Sequence, residues 1–240
     1  PGYLRPLQGV APAGGQRLYM VAFDLARAAD GQWWVMDQRT QSPSGLGYVM
    51  HNRLVISHQF TDAFRQMGVQ HLASGFRRLL DTLESRARQV AKGQTPRIVF
   101  LTPGLYSETY FEHAYIARYL GFGLLEGEDL VVENGTLMVR TVAGPIPIDV
   151  LWRRLDASFA DPIELDIYSQ LGTAGLASAA RSGNVTLVNA LGSGVLEMRA
   201  LLAFMPRLCE HILGQPLALP NIATWWCGQK KEMDYVIQNI

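Results

Sequence analysis

Two segments near the amino terminus alternate apolar and polar positions at the two-residue period of a strand. Arg17 to Ala26 sets Tyr19, Val21, Phe23 and Leu25 on one face, and Gln32 to Gln38 sets Trp33 and Val35 on the face of Asp37. Asp30-Gly31 between them is a two-residue hairpin signal. A reversal there pairs Ala29 with Gln32, and counting outward one for one places Asp24 opposite Asp37. Residues 54 to 58 read as one more short strand. Thr61 caps a short helix that Gly68 ends. The period then becomes helical, with Phe76, Leu79, Leu80, Leu83, Ala87 and Val90 forming one stripe between Ala73 and Ala91.

The second half alternates strands with helices. Ile98 to Leu101 is a short apolar run broken by Thr102-Pro103-Gly104. A helical pattern starts at Ser107, with Phe111, Ala114, Tyr115, Arg118 and Tyr119 at helical steps, and stops at Gly121. Leu124-Leu125 opens another apolar run. Leu130 to Val142 reads as a hairpin around Asn134-Gly135, and Ile146 to Arg154 as an apolar strand. Asp161-Pro162 opens a helix by cap and first-turn proline. Thr173 to Ser182 is a helix closed by Gly183, and Asn184 to Val188 a strand running into the glycine-rich turn Gly192-Ser193-Gly194. Short helices follow at Leu196 to Phe204 and Arg207 to Leu213. Trp225-Trp226 reads as core packing on both sides of a strand. Strands alternating with helices define an α/β fold with a parallel sheet.

Composition narrows the function classes. The 240 residues are 48% hydrophobic and 18% charged, enough to bury a substantial core. Lys plus Arg equals Asp plus Glu, so the net charge is zero. That lacks the basic surplus of a nucleic-acid binder. No apolar run approaches the ~20 residues that span a bilayer. The two cysteines, Cys209 and Cys227, make no disulfide framework, which points to a reducing, cytoplasmic setting and no membrane partner. The best linker is Lys92-Gly93-Gln94-Thr95-Pro96. Both ends read as cut, since position 1 is Pro and Met233 to Ile240 stops without a cap.

Candidate chemistry concentrates in three places. Facing carboxylates at Asp24 and Asp37 destabilise a sheet unless something neutralises them. A shared divalent cation would do so, because Mg²⁺ is bound through one or two carboxylates plus substrate phosphates. The alternative is a register slip, with Asp24 solvated or paired with Arg27 or Arg39. The loop Arg39 to Tyr48 could cradle an anion on backbone amides around Ser44 and Gly45, or be a plain turn. At the strand ends of the second half, Tyr106, Glu108, His113, Arg153, Arg154 and the turn Gly192-Ser193-Gly194 lie where α/β proteins bind ligands. Each has a plain structural alternative: Glu108 and Glu112 facing a helix dipole, His113 satisfied in the core, the arginines paired with Asp156 or Glu164.

Several runs together resemble one family. LTPGLYSETYFEHAYIARYLGFGLLEGEDL, RRLDASFADPIEL, NALGSGVLE and PNIATWWCG, with DLARAADGQWWVMDQRTQSPSGLGY near the start, are similar to the circularly permuted ATP-grasp proteins, related in fold to glutathionylspermidine synthetase. The resemblance implies a Rossmann-like pre-ATP-grasp domain plus a partial, permuted ATP-grasp segment. Residues 1–60 would be that permuted segment, 61–95 a helical connector, 96–228 the Rossmann-like substrate domain, and 229–240 the lead-in to the rest of the ATP-grasp domain, where the family's ATP-binding lysines lie. In glutathione synthetases the metal-binding strand reads Glu-x-Asn before a Thr-Ser-Pro loop. The similar stretch here is Asp37-Gln38-Arg39-Thr40-Gln41-Ser42-Pro43. Asp37 matches the metal carboxylate, Asp24 matches an upstream carboxylate more loosely, and Arg39 stands where those enzymes keep an Asn ligand.

The resemblance implies part of an ATP- and Mg²⁺-dependent carboxylate–amine ligase acting through an acyl phosphate, inactive as the 240 residues alone. Asp24 and Asp37 would be metal ligands. Arg39, as the catalytic residue, would contact phosphate together with Ser44 and Gly45. Tyr106, Glu108, His113, Arg153, Arg154 and Gly192 to Gly194 would hold a small-molecule or peptide carboxylate and amine. Homo-oligomerisation is compatible with this reading. A non-catalytic binding or scaffold module on the same fold, or a metal-dependent nucleotide-sugar transferase, are the alternatives.

Overall fold

The computed structural model describes residues 2–91 and 95–239. Residues 92–94 of the expected linker lie outside the described residues. In chain order the elements are β1 (Ala22–Arg27), β2 (Trp33–Arg39), α1 (Leu46–Gln59), α2 (Thr61–Gln66), α3 (Ala73–Val90), β3 (Ile98–Leu101), α4 (Tyr110–Leu120), β4 (Gly123–Leu125), β5 (Leu130–Glu133), β6 (Thr136–Val139), β7 (Ile146–Pro147), β8 (Val150–Arg153), α5 (Leu176–Arg181), β9 (Thr186–Val188), α6 (Arg199–Leu202), α7 (Met205–Leu213) and α8 (Lys230–Gln238).

The centre is a four-stranded parallel sheet of order β4-β3-β8-β9. Its strands alternate strictly between two cores. Val99, Leu101, Leu151 and Leu187 face α5 and the β5–β6 hairpin, packing with Leu176, Ala177, Leu130 and Leu137. Phe100, Val150, Trp152 and Val188 face α3 and α4, packing with Leu83, Ala87, Ile116 and Ala117. Buried on both faces, such strands read as short continuous apolar runs, which is why IVFL and VLWR carry no alternation. The Phe100 and Trp152 rings meet 4.9 Å apart on neighbouring strands. Asn134-Gly135 makes the expected tight turn, with φ of 51° and 70°, values that suit Asn and Gly.

Several expectations change. Residues 54–58 are not a strand but the end of the 14-residue helix α1. The run Ile146 to Arg154 divides, β7 joining the β5–β6 hairpin and β8 joining the parallel sheet. Asp161-Pro162 opens no helix; instead the buried Asp161 carboxylate accepts hydrogen bonds from the backbone of Ile163, Gly175 and Ala177, anchoring the start of α5. Trp225 and Trp226 lie in no strand and are 45% and 43% exposed; their rings rest on Tyr235 and Phe204. The stretch Met233 to Ile237 lies in helix α8. No helix among the described residues is long and apolar enough to cross a membrane.

Candidate functional site

The β1–β2 hairpin puts Asp24 opposite Asp37, as expected, but by a different route. The reversal is one residue longer than a two-residue turn. Ala28 N–H donates to the Gln32 carbonyl at 2.8 Å, and Gly31, at φ 87°, closes the loop onto Ala28. Near the turn the partners are therefore Leu25 with Val35 and Arg27 with Trp33. A bulge at Met36 then inserts one residue into β2 and restores the pairing of Asp24 with Asp37 and Ala22 with Arg39. Two offsets cancel. Residues 17–20 do not extend β1; they lie against Asn189, whose side-chain oxygen accepts from the backbone of Tyr19 at 2.7 Å.

Neither carboxylate stands alone. Arg39 Nη2 donates to Asp24 Oδ2 at 2.8 Å, the pairing that the sequence offered as the alternative to a metal. Arg199 Nε lies 3.8 Å from Asp37 Oδ2. The side chains of Asp24, Arg39 and Arg199 are 51%, 56% and 86% exposed, and that of Asp37 is 21% exposed. The hydrogen bond that Arg39 donates to Asp24, with the Asp24, Asp37 and Glu197 charges nearby, holds the Arg39 proton even more firmly than usual. Among the described residues no three Asp, Glu, His or Cys side chains gather around one point. The donor set is two hard carboxylate oxygens at facing ladder positions. That suits Mg²⁺ completed by phosphate oxygens rather than a cage built from protein alone.

Beyond Arg39 the chain enters the loop 40–45, and here the anion-cradle expectation is corrected. The amides around Ser44 and Gly45 do hold an anion, but it is the protein's own. The fully buried Glu112 carboxylate from α4 accepts Gly45 N–H at 2.8 and 2.9 Å and reaches Gly47 N–H at 3.4 Å. It serves as the cap for α1, whose N-cap residue is Gly45, and complements the helix dipole. A side chain at 47 would meet Glu112 Cγ at 2.7 Å, so only glycine fits. Ser44 is exposed and carries no part of this contact. A second carboxylate, Glu197, takes the backbone N–H groups of Thr40 and Gln41.

The same loop lies at the carboxyl ends of β3, β8 and β9. The connection after β3 runs to β4 on one side and the connection after β8 runs to β9 on the other, which makes the carboxyl ends of β3 and β8 the switch point where open α/β sheets bind ligands. It is filled from within. Arg154 donates to the Pro43 carbonyl at 2.6 Å and sits 3.8 Å from Glu112, both side chains being essentially inaccessible. Asn189 donates to the Thr40 carbonyl at 2.7 Å, and Thr40 Oγ1 donates to the Ser193 carbonyl at 2.8 Å.

Most residues assigned to substrate by pattern are buried here and engaged by the protein's own groups. Arg153 is wholly buried and donates to the carbonyls of Leu155, Asn189 and Ala190 and to Ser193 Oγ. Burial pulls its pKa down to about 10. Burial also lowers that of Arg154, opposed by Glu112. His113 is inaccessible, its ring nitrogens each 2.9 Å from a threonine hydroxyl, of Thr102 and Thr109. Burial, with the Arg154 charge beside it, brings its pKa down to about 3, so it is neutral at pH 7. Gly192, at φ 88°, starts the turn that Ser193 and Gly194 continue, and Gly194 is packed under Gln41 so closely that a side chain would reach it at 2.6 Å. That turn is a seat for the loop 40–45. Tyr106 is fully exposed, and Glu108 is exposed. Pattern reading passed over Glu197, Asn189 and Arg199 because their partners lie across the fold; Asp37-x-Arg39 and NALGSGVLE were the nearest signals.

A parallel α/β domain, carrying an acidic hairpin whose outgoing loop plugs the crevice of its sheet, defines the class of protein. The chain belongs to the circularly permuted ATP-grasp type 2 family, whose match covers residues 1–240. It is 40% identical over 240 residues to an uncharacterized protein of Mycobacterium tuberculosis, covering all of this chain and 27% of that one. It is 36% identical over 239 residues to an uncharacterized protein of Synechocystis, 49% of whose length is covered. A second uncharacterized M. tuberculosis protein is 35% identical over 236 residues, with 42% of its length covered. The chain thus spans a quarter to a half of the curated relatives it matches.

Proposed function

We propose that the protein of this chain is an ATP- and Mg²⁺-dependent carboxylate–amine ligase that works through an acyl phosphate. Family membership supports the ATP-dependent ligase class, and the opposed Asp24 and Asp37 are the observation that carries the finer reading. These two carboxylates would hold Mg²⁺, which supplies neutralisation of the phosphoryl group in transfer. Arg39, two residues beyond Asp37 on the same face of β2, would contact the phosphate oxygens, for which its planar fork is suited. The buried Glu112, Arg154 and Arg153 hold the loop after β2 in place, and so fix where Asp37 and Arg39 stand. Tyr106 and Glu108, exposed after β3, remain as candidates to touch the carboxylate or amine substrate. The Arg39–Asp24 pair also supports a second reading, a binding or scaffold module whose acidic site is closed by its own arginine.

Incubating the full-length protein with ATP, Mg²⁺ and pooled amino acids or peptides separates the two. Release of ADP and phosphate that depends on a pool is expected, and Asp37→Asn should abolish it. Ligand binding without turnover in every pool would favour the scaffold, and an unchanged rate in D37N would remove Asp37 from the site.

A further inference from the structure

Each carboxylate of the opposed pair carries its own guanidinium, and the two guanidinium groups come from different elements. Arg39 lies at the end of β2 and holds Asp24 at 2.8 Å; Arg199 opens α6 and reaches Asp37 at 3.8 Å. Both arginines are more than half exposed, so both contacts are of the weak kind. The contrast is Arg154–Glu112, sealed at 2% and 0% exposure and locked by backbone partners. The neighbouring acid Glu197 is engaged with the Thr40 and Gln41 amides and with the Gln41 side chain. It is therefore not placed to take over a guanidinium that leaves Asp24 or Asp37.

We infer that Arg39 and Arg199 are exchange partners for a divalent cation at Asp24 and Asp37, and that the cation releases both arginines to bind a phosphate-bearing ligand. The inference rests on the reading of Asp24 and Asp37 as metal ligands and adds Arg199 to the site. A dication satisfies two facing carboxylates better than two solvated ion pairs. The arginines it displaces then have free forks beside the anion that the metal attracts. Cation and phosphate therefore bind with positive coupling, equal in both directions. With neither present the site is charge-balanced, which lets an exposed hairpin tolerate two opposed acids.

The test is calorimetric titration of the full-length protein with each probe alone, with circular dichroism melting to confirm that variants fold. Mg²⁺ in chloride buffer is titrated into wild type, Arg39→Gln and Arg199→Gln. Each substitution should tighten Mg²⁺ about two- to fivefold, the equivalent of an exposed ion pair. Inorganic phosphate, free of metal, is titrated into wild type, Asp24→Asn and Asp37→Asn. Each should tighten phosphate by a similar factor, because an arginine has been freed. Mg²⁺ binding that is unchanged or weaker in both arginine variants overturns the exchange and leaves the metal site standing. Tighter phosphate in the Asn variants with no Mg²⁺ uptake by any form retires the metal reading and keeps the arginines as an anion site. Flat responses in both arms with no Mg²⁺ uptake overturn both.

Discussion

The parallel sheet and the β1–β2 hairpin use charge in opposite ways. Around the carboxyl ends of the sheet strands Glu112, His113, Arg153 and Arg154 are buried, the first and the last two on backbone partners and His113 between two threonine hydroxyls. At the hairpin Asp24 and Arg39 are solvated and pair with each other, and the exposed Arg199 reaches Asp37. The apolar side chains divide likewise. Phe100, Leu101, Val150 and Leu151 are wholly inaccessible, whereas Phe23, Leu25, Trp33 and Met36 on the hairpin are 40–52% exposed. The sheet spends its polar groups on holding one geometry. The hairpin leaves its polar groups free to change partners, and that freedom, more than the density of charge, marks where chemistry can occur.

The sharpest way to break this contrast is to remove one buried partner. Glu112→Ala would strand the Gly45 amide and the Arg154 guanidinium without water, and should cost about 3–5 kcal/mol, read as a large drop in denaturation midpoint. A loss under about 1 kcal/mol would mean that the loop 40–45 is seated by other contacts. A smaller effect concerns His113. Its pKa is lowered in the fold to about 3 from about 6.5, so between those values the unfolded chain takes up a proton that the folded chain refuses. Stability should fall as pH drops from about 6.5 toward 3 and be fully present above that window. His113→Gln should flatten that part of the profile. The smallest effect belongs to the hairpin: Asp24→Asn removes an exposed pair and should move stability by less than about 0.5 kcal/mol, whatever it does to ligand binding.

Much of the sheet was legible because its signals are local. The runs IVFL and TLV, the Asn134-Gly135 turn, the α3 stripe and the helix stop at Gly121, with φ 73°, all lie within a few residues of what they determine. Helix α1 was not legible. Its sequence, LGYVMHNRLVISHQ, has apolar residues around most of its circumference, and its cap comes from Glu112, 65 to 67 positions away. Helix α4 misled in another way. Its spacing marked the helix but not its inner face: Phe111 and Tyr119 are 50% and 56% exposed, while Glu112, His113, Ile116 and Ala117 are buried. A buried carboxylate and imidazole are favourable only because Gly45, Thr102 and Thr109 meet them, and no window of sequence contains those partners together. The candidate site shows the same limit. The two-residue turn signal aligned the two aspartates only because the longer reversal and the bulge at Met36 offset each other, and Arg199 carried no local signal, since α6 follows the folded 193–197 turn that packs on β2.

The opposition of Asp24 and Asp37 is kept by a three-residue reversal and a one-residue bulge that offset each other. Loop length and bulge are therefore linked by parity. At this chain length, the same reversal without the bulge would set Asp24 against Met36, and a two-residue turn with the bulge would set it against Gln38, so changing either one alone turns Asp37 to the far side of the ribbon, whereas changing both leaves the acids facing. Relatives of the same length that tighten the reversal to two residues keep the acids facing only if the ladder runs straight past position 36.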